Sequence, residues 1–227
     1  ITQINFKDYQ TLTPQINISE FLESVPGLFI LNNNNYAQDA RISIRGFGSR
    51  ANFGVRGIKI YVDGIPETSA DGQSQTDNIN LEIIEKVEVF RGNNSSLFGS
   101  SSGGAISITT FEDFKKDFIN VGYSLGSFNT SKKQATIGLV NKNEKMIFFI
   151  SNTKSSGYRS HSGYENFNMN FKYIKPLNAN NKLQLIANFL NSPSANDPGG
   201  LNLDEVKNNR SEGRSRNIQY DAGEKVK

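Results

Sequence analysis

From Phe118 onward the chain places apolar residues at every second position of long segments. Ile119, Val121, Tyr123 and Leu125 alternate with Asn120, Gly122, Ser124 and Gly126. Successive side chains of an extended strand point to opposite faces, so this segment has one apolar and one polar face. The pattern returns with Ala135, Ile137 and Leu139 opposite Gln134, Thr136 and Gly138, and with Phe167, Met169, Phe171 and Tyr173 opposite Asn168, Asn170 and Lys172. A further repeat sets Leu183, Leu185, Ala187 and Phe189 against Gln184 and Asn188. Met146 to Thr153 is apolar on both faces, and its orientation stays open.

Each segment is close to the roughly 9 to 11 residues that a tilted strand needs to cross a bilayer. Asn141 to Glu144 and Pro176 to Asn181 are short polar connections, whereas Ser155 to Glu165 and Ser192 to about Ala222 are long. Phe128 to Ser131 is short but falls on the long-loop side. Short turns at one end and long loops at the other are the layout of a membrane β-barrel. A soluble antiparallel sandwich shares the alternation and stays open for this half taken alone.

Other classes fall away quickly. No run approaches the roughly 18 to 20 apolar residues of a membrane helix, and Ile1 opens no charged and apolar leader. A mean hydropathy of -0.50 suits barrel strands, whose polar faces dilute the apolar ones. The net charge of +3 is too balanced to imply nucleic acid, and without cysteine there are no disulfides or thiolate metal sites. His161 is the only histidine, which removes Ser-His triads and multi-histidine zinc sites; it reads as a solvated loop residue. Gly99 to Gly104 lacks the Lys-Ser/Thr pair of a P-loop, and Gly46 to Gly48 lacks the spacing of a dinucleotide fingerprint. No enzyme is expected. Lys207, Arg210, Arg214 and Arg216 are interspersed with acidic and polar residues and read as a solvated loop, as do Asn32 to Asn35.

The first half has another grammar. Asn17 and Glu20 are spaced like a capping box, and Ile18, Phe21, Leu22 and Val25 then share a helical face until Pro26-Gly27. Ile42 and Ile44, Ile58 to Val62, Val87 and Val89, and Ile106 and Ile108 alternate as half-buried strands between glycine turns. The reading is a small α+β domain with two short helices.

The order of motifs in that half is more specific than any one of them: TPQ, a helix ending in VPG at Val25 to Gly27, IRGFGS at Ile44 to Ser49, YVDGIP at Tyr61 to Pro66, then IEKVEVFRG and GGAISIT. From about Thr13 to Thr110 the chain resembles the plug domain of TonB-dependent outer-membrane receptors. Asn93 replaces the usual proline after RG, Phe98 the usual tyrosine, and serines precede Gly103. The resemblance implies an α+β plug domain over residues 1–112, followed over 113–227 by the first strands, about five with their outer loops, of a transmembrane antiparallel β-barrel. Complete barrels of this type have about 22 strands, and five cannot close around a plug. The expectation is therefore the N-terminal third of a longer receptor.

It further implies a cell outer membrane location in a Gram-negative bacterium, contact with outer-membrane lipid, a monomeric barrel, and energy from a TonB-ExbB-ExbD complex through a peptide preceding Ile1. A barrel that binds or adheres without active transport is the alternative. The glycines of Asp63-Gly64, Arg91-Gly92, Arg45-Gly46 and Gly103-Gly104 read as turn and close-approach chemistry. By resemblance, Arg45 and Arg91, expected in apolar surroundings, pair with barrel-wall glutamates. Ligand contacts fall on Gly48 to Gly57, with Arg50, Asn52, Phe53 and Arg56, and on Thr68 to Asp77, with Asp71, Gln73 and Gln75. Cationic donors beside an aromatic face suit a planar anion. NYAQDARISIRGFGSRANFGVRGIKIYVDGIPETSADGQSQ also resembles the branch that includes the pyrroloquinoline quinone receptor, with Ser74 replacing a glycine. The cargo implied is an iron chelate, haem or pyrroloquinoline quinone, and no covalent cofactor or metal site is expected.

Overall fold

The computed structural model of the protein describes residues 1–5, 16–31, 35–51, 54–74, 76, 79–92, 98–99 and 101–226; Asn52, Phe53, Gln75 and Asn93 lie outside the described residues. The chain divides into two units, Ile1–Asn33 with Asp39–Asp113, and Asn34–Gln38 with Phe114–Lys227. Asn34–Gln38, which the sequence places within the plug, is thus grouped with the long strands.

In the first unit the isoleucine and valine alternations become strands. β1 (Thr2–Asn5), β5 (Ile58–Val62), β6 (Ile65–Pro66), β8 (Ile84–Arg91) and β9 (Gly104–Thr110) form a five-stranded sheet in the order β1-β8-β9-β5-β6. β5 and β9 run parallel, with Ile60 opposite Ile106, while β8 and β9 are antiparallel, with Val89 opposite Ile106. β2 (Leu28–Leu31) pairs with β3 (Arg41–Ile44), and β4 (Val55–Arg56) with β7 (Gln73–Ser74). Ile42, Ile44, Ile58, Ile60, Val87, Val89, Ile106 and Ile108 are buried in one core with Leu22. Each such side chain contributes about 1.5–3 kcal/mol by leaving water.

The helix over Asn17 to Val25 is a single turn, α1 (Ser19–Leu22). Asn17 Oδ1 accepts from the Ser19 N–H at 3.0 Å and Glu20 Oε1 from the Asn17 N–H at 3.3 Å, so the start signal works. Pro26 disfavours helix at the residue before it, and turn bonds from Val25 N–H to Leu22 O and Leu28 N–H to Val25 O lead straight into β2. Among the described residues a 3-10 turn, Leu81–Ile83, precedes β8, and Phe98 is helical, the residues just before it lying outside the described ones.

The second unit carries a six-stranded antiparallel sheet in chain order: β10 (Phe118–Gly126), β11 (Thr130–Asn141), β12 (Glu144–Ser155), β13 (Tyr164–Pro176), β14 (Lys182–Asn196) and β15 (Gly223–Val226). Its register stacks like faces. Ile119 lies opposite Ile137, Ile137 opposite Phe148, Phe148 opposite Phe171 and Phe171 opposite Ala187. The adjacent row is Val121, Ala135, Ile150, Met169 and Phe189. This face is open: Val121 is 79% exposed and Ile150 42%. On the opposite face Ile147 and Phe149 are 1% and 2% exposed, and Thr136, Ser151, Asn170 and Lys172 are buried. That settles Met146 to Thr153: Phe148 and Ile150 belong to the apolar outer face.

Two features depart from the sequence reading. The connection after β14 is folded, with α2 (Leu203–Asn209) and α3 (Ser215–Gln219), and α2 is started by a capping box between Asn202 and Glu205. His161 is not solvated; its side chain is 11% exposed, and Nε2 lies 2.8 Å from the carbonyl oxygen of Ala222. The backbone reverses tightly here: Gly157 has no room for a Cβ against Ser162, and His161 itself takes φ 59°.

Candidate functional site

The two loops singled out as ligand-bearing meet in the first unit. β4 and β7 pair with Val55 opposite Ser74 and Arg56 opposite Gln73. Arg56 Nη2 donates to Gln73 Oε1 at 3.2 Å, and the two backbones are joined by the ladder beneath. Gly54 lies against the second loop, where a Cβ would come within 2.9 Å of the movable Gln73 Nε2, and Gly48 packs on β3, where a Cβ would lie 2.6 Å from the Ile42 carbonyl. Arg50, Arg56 and Asp71 are exposed and Gln73 is half-buried.

The second loop is a closed turn. Ser69 N–H donates to Gln73 O at 2.8 Å and Gly72 N–H to Ser69 O at 3.0 Å. Asp71 Oδ1 accepts from the Ser69 hydroxyl and from the Gln73 N–H. The Ser69 hydroxyl, then the Gln73 N–H, with a smaller attraction from Arg56, hold the Asp71 carboxyl below the ordinary aspartate value. Thr68 Oγ1, which is hydrogen-bonded to Ser74 Oγ at 2.5 Å, accepts from Ile60 N–H at 3.1 Å, so the turn is tied to the core sheet. The first loop is braced by Arg41, whose Nη2 donates to Ser49 O at 2.9 Å. The result is a hydrogen-bonded frame presenting the Arg50 and Arg56 guanidinium groups and the Gln73 carboxamide from two loops. Arg41 was not among the sequence candidates, since no local pattern announces a bond to a carbonyl eight residues on.

The signature motifs also come together in space. Arg45 and Gly46, at φ 50° and 86°, form a turn with both central residues left-handed, closed by Ile44 and Phe47. The Arg45 N–H donates to Gly27 O at 2.9 Å, and Arg91 Nη1 donates to Pro26 O at 2.9 Å. Arg91 Nη2 also reaches Thr2 Oγ1 at 2.8 Å. VPG, IRG and FRG therefore share one junction. The Arg45 side chain is exposed there and Arg91 half-buried, not the apolar surroundings that the sequence suggested.

Asp63, at φ 52°, takes both the N–H and the hydroxyl of Thr110 on its carboxylate. Gly64 and Gly92 complete their turns at φ 82° and 112°. Gly103 lies where a Cβ would meet Phe47 Cβ at 2.6 Å, and Gly104, at φ 127°, where one would meet Phe90 O at 2.1 Å.

Comparison with known proteins agrees with this geometry. Residues 1–106 match the family model described as TonB-dependent Receptor Plug Domain. The chain is 30% identical over 120 residues to the Vibrio vulnificus vitamin B12 transporter BtuB, covering 52% of this chain and 18% of that protein. It is 38% identical over 88 residues to the Yersinia enterocolitica pesticin receptor, covering 38% of this chain and 12% of that protein. The chain thus spans under a quarter of the length of these curated relatives. Among solved structures, the copper transporter OprC superposes with a TM-score of 0.68 at 19% identity, over 88% of this chain and 32% of that one. A ferric enterobactin receptor, PfeA, gives 0.62 at 19% identity, over 85% and 33%. The plug match and the motif junction assign residues 1–106 to the TonB-dependent receptor plug domain, and the alternating sheet that follows shares its fold with the strands of the solved outer-membrane receptors.

Proposed function

We propose that the complete receptor takes up a scarce anionic solute actively across the outer membrane, and that its plug recognises the solute through the paired loops 48–57 and 68–77. The observation that carries this is the Arg56–Gln73 pairing on the β4–β7 ladder, which sets two loops of hydrogen-bonding and cationic groups on one frame. Arg50 and Arg56 supply planar donors suited to carboxylates, while Asp71, Gln73 and Gln75 add polar contacts. Asn52 and Phe53 complete the proposed set from the sequence. An iron chelate, haem or pyrroloquinoline quinone fits this chemistry. Arg45 and Arg91 bear the proposed plug-locking role toward barrel glutamates, and a TonB-ExbB-ExbD complex supplies the force. The barrel is proposed to act as a monomer.

Binding of ferric chelates, haem and pyrroloquinoline quinone to the full-length receptor in detergent tests the site. Arg50→Ala and Arg56→Ala should each weaken the cargo that binds by tenfold or more, about 1.4 kcal/mol. Unchanged affinity in both variants would remove these loops from recognition.

A further inference from the structure

The segment joining β2 to β3 along the chain is held by a residue 159 to 162 positions away. Asn35 Nδ2 donates to Asp197 Oδ1 at 2.9 Å and Gln38 Nε2 to Asp197 Oδ2 at 3.1 Å, so two carboxamides grip both oxygens of one carboxylate. Tyr36, between them, stacks on Tyr164 with ring centroids 3.8 Å apart. Asp197 is also the hub of its own loop. Its Oδ1 accepts from Gly199 N–H at 2.8 Å, its N–H donates to Ala222 O at 2.8 Å, and its carbonyl accepts from Asn217 Nδ2 at 3.3 Å. The loop is folded down by further bonds. Arg159 donates Nε to Glu212 O, Nη1 to Gly199 O and Nη2 to Pro198 O, while Ser160 N–H donates to Ser211 O.

We propose that Asp197 is a latch: its carboxylate, gripped by Asn35 and Gln38, keeps the outer loop 197–222 closed, and withdrawal of the 35–38 segment releases it. Two features make this a switch rather than a brace. One carboxylate carries both sets of bonds, so losing the amides leaves Oδ2 without the Gln38 donor and Oδ1 held by the Gly199 N–H alone. And the segment that grips it leads within three residues into β3, so a displacement of that strand is passed along the chain to the latch. Closure of the loop is then coupled to the position of the plug chain, a coupling that does not depend on which solute is carried.

Limited trypsin digestion of the full-length receptor in detergent, without added solute, tests the latch. Lys207 and Arg210 in the loop report its opening, and Lys115 and Lys116 after the plug serve as internal reference. Cleavage of a transiently open segment follows the open population when reclosing is fast. Asp197→Asn removes the charge and one of the two acceptor oxygens, and the loop sites should be cut about tenfold faster with the reference unchanged. Gln38→Glu added to Asp197→Asn restores a donor-acceptor pair in reverse, and the rate should return to within about threefold of the parent. Asn35→Ala with Gln38→Ala, which leaves every bond inside the loop intact, should open it as Asp197→Asn does. Unchanged cleavage in the double alanine variant overturns the latch. Faster cleavage in Asp197→Asn that Gln38→Glu fails to restore overturns the pairing, leaving Asp197 a brace of its own loop.

Discussion

Asp63 accepts two hydrogen bonds from Thr110, at 2.9 Å from its N–H and 2.6 Å from its hydroxyl, and so fastens the turn after β5 to the end of β9. Asp63 belongs to YVDGIP and Thr110 directly follows GGAISIT, motifs that look independent in the sequence, with the two residues 47 positions apart. Asp63→Asn keeps a side chain that tolerates φ 52° and removes the charge, so it isolates the hydrogen bonds from the backbone. Hydrogen exchange at the Thr110 amide should accelerate about tenfold or more, since bonds to a charged group are worth about 1.5–3 kcal/mol. No change would mean that the parallel β5–β9 ladder suffices alone.

Two glycines of the same sheet should respond differently to alanine. At Gly104 a Cβ would sit 2.1 Å from Phe90 O, a backbone atom that cannot move aside without breaking β8 from β9. At Gly64 nothing lies within 4 Å, and only the left-handed conformation at φ 82° opposes a side chain. Gly64→Ala should therefore cost about 1–2 kcal/mol, and Gly104→Ala enough to prevent the plug from folding. Denaturant unfolding of both variants, followed at plug-specific amides, checks the ranking.

The turn 68–74 should resist acid. Asp71 has its carboxyl held below the ordinary aspartate value by Ser69 and Gln73, so the stabilisation is fully present above that ordinary value. It is lost only as pH falls through the lowered folded value. Exchange at the Gln73 amide should stay slow from neutral pH to below the usual range of aspartate titration, about 3.9, and quicken further down. Asp71→Asn should abolish the pH step.

On the open face of the barrel sheet, depth should govern tolerance. Phe148 and Phe171 pack at 4.8 Å in the middle row, whereas Leu125 lies at the long-loop end of β10. Phe148→Arg should destabilise the receptor by about 2–4 kcal/mol and Leu125→Arg by no more than about 1. Reversible unfolding in lipid vesicles measures both.

What could be read from the sequence follows from the range of the physics. Alternation survives in the sequence because each strand carries its two faces within itself, and Ile119 to Leu125 declares them. Met146 to Thr153 does not, because Ile147 and Phe149 are as apolar as Phe148 and Ile150; only the pairing with Ile137 and Phe171 tells them apart. The Asp197 grip and the enclosure of His161 depend on partners 61 or more positions away and leave no local pattern. The loops 48–57 and 68–77 were recognised by resemblance, but their joining through Arg56 and Gln73 is tertiary.

Uptake by cells carrying the full-length receptor, with and without a working TonB-ExbB-ExbD complex, tests the central claim most directly. With labelled cargo, surface binding should persist without the complex while accumulation falls to background. Accumulation that continues unchanged, or binding with no accumulation under either condition, would contradict active transport.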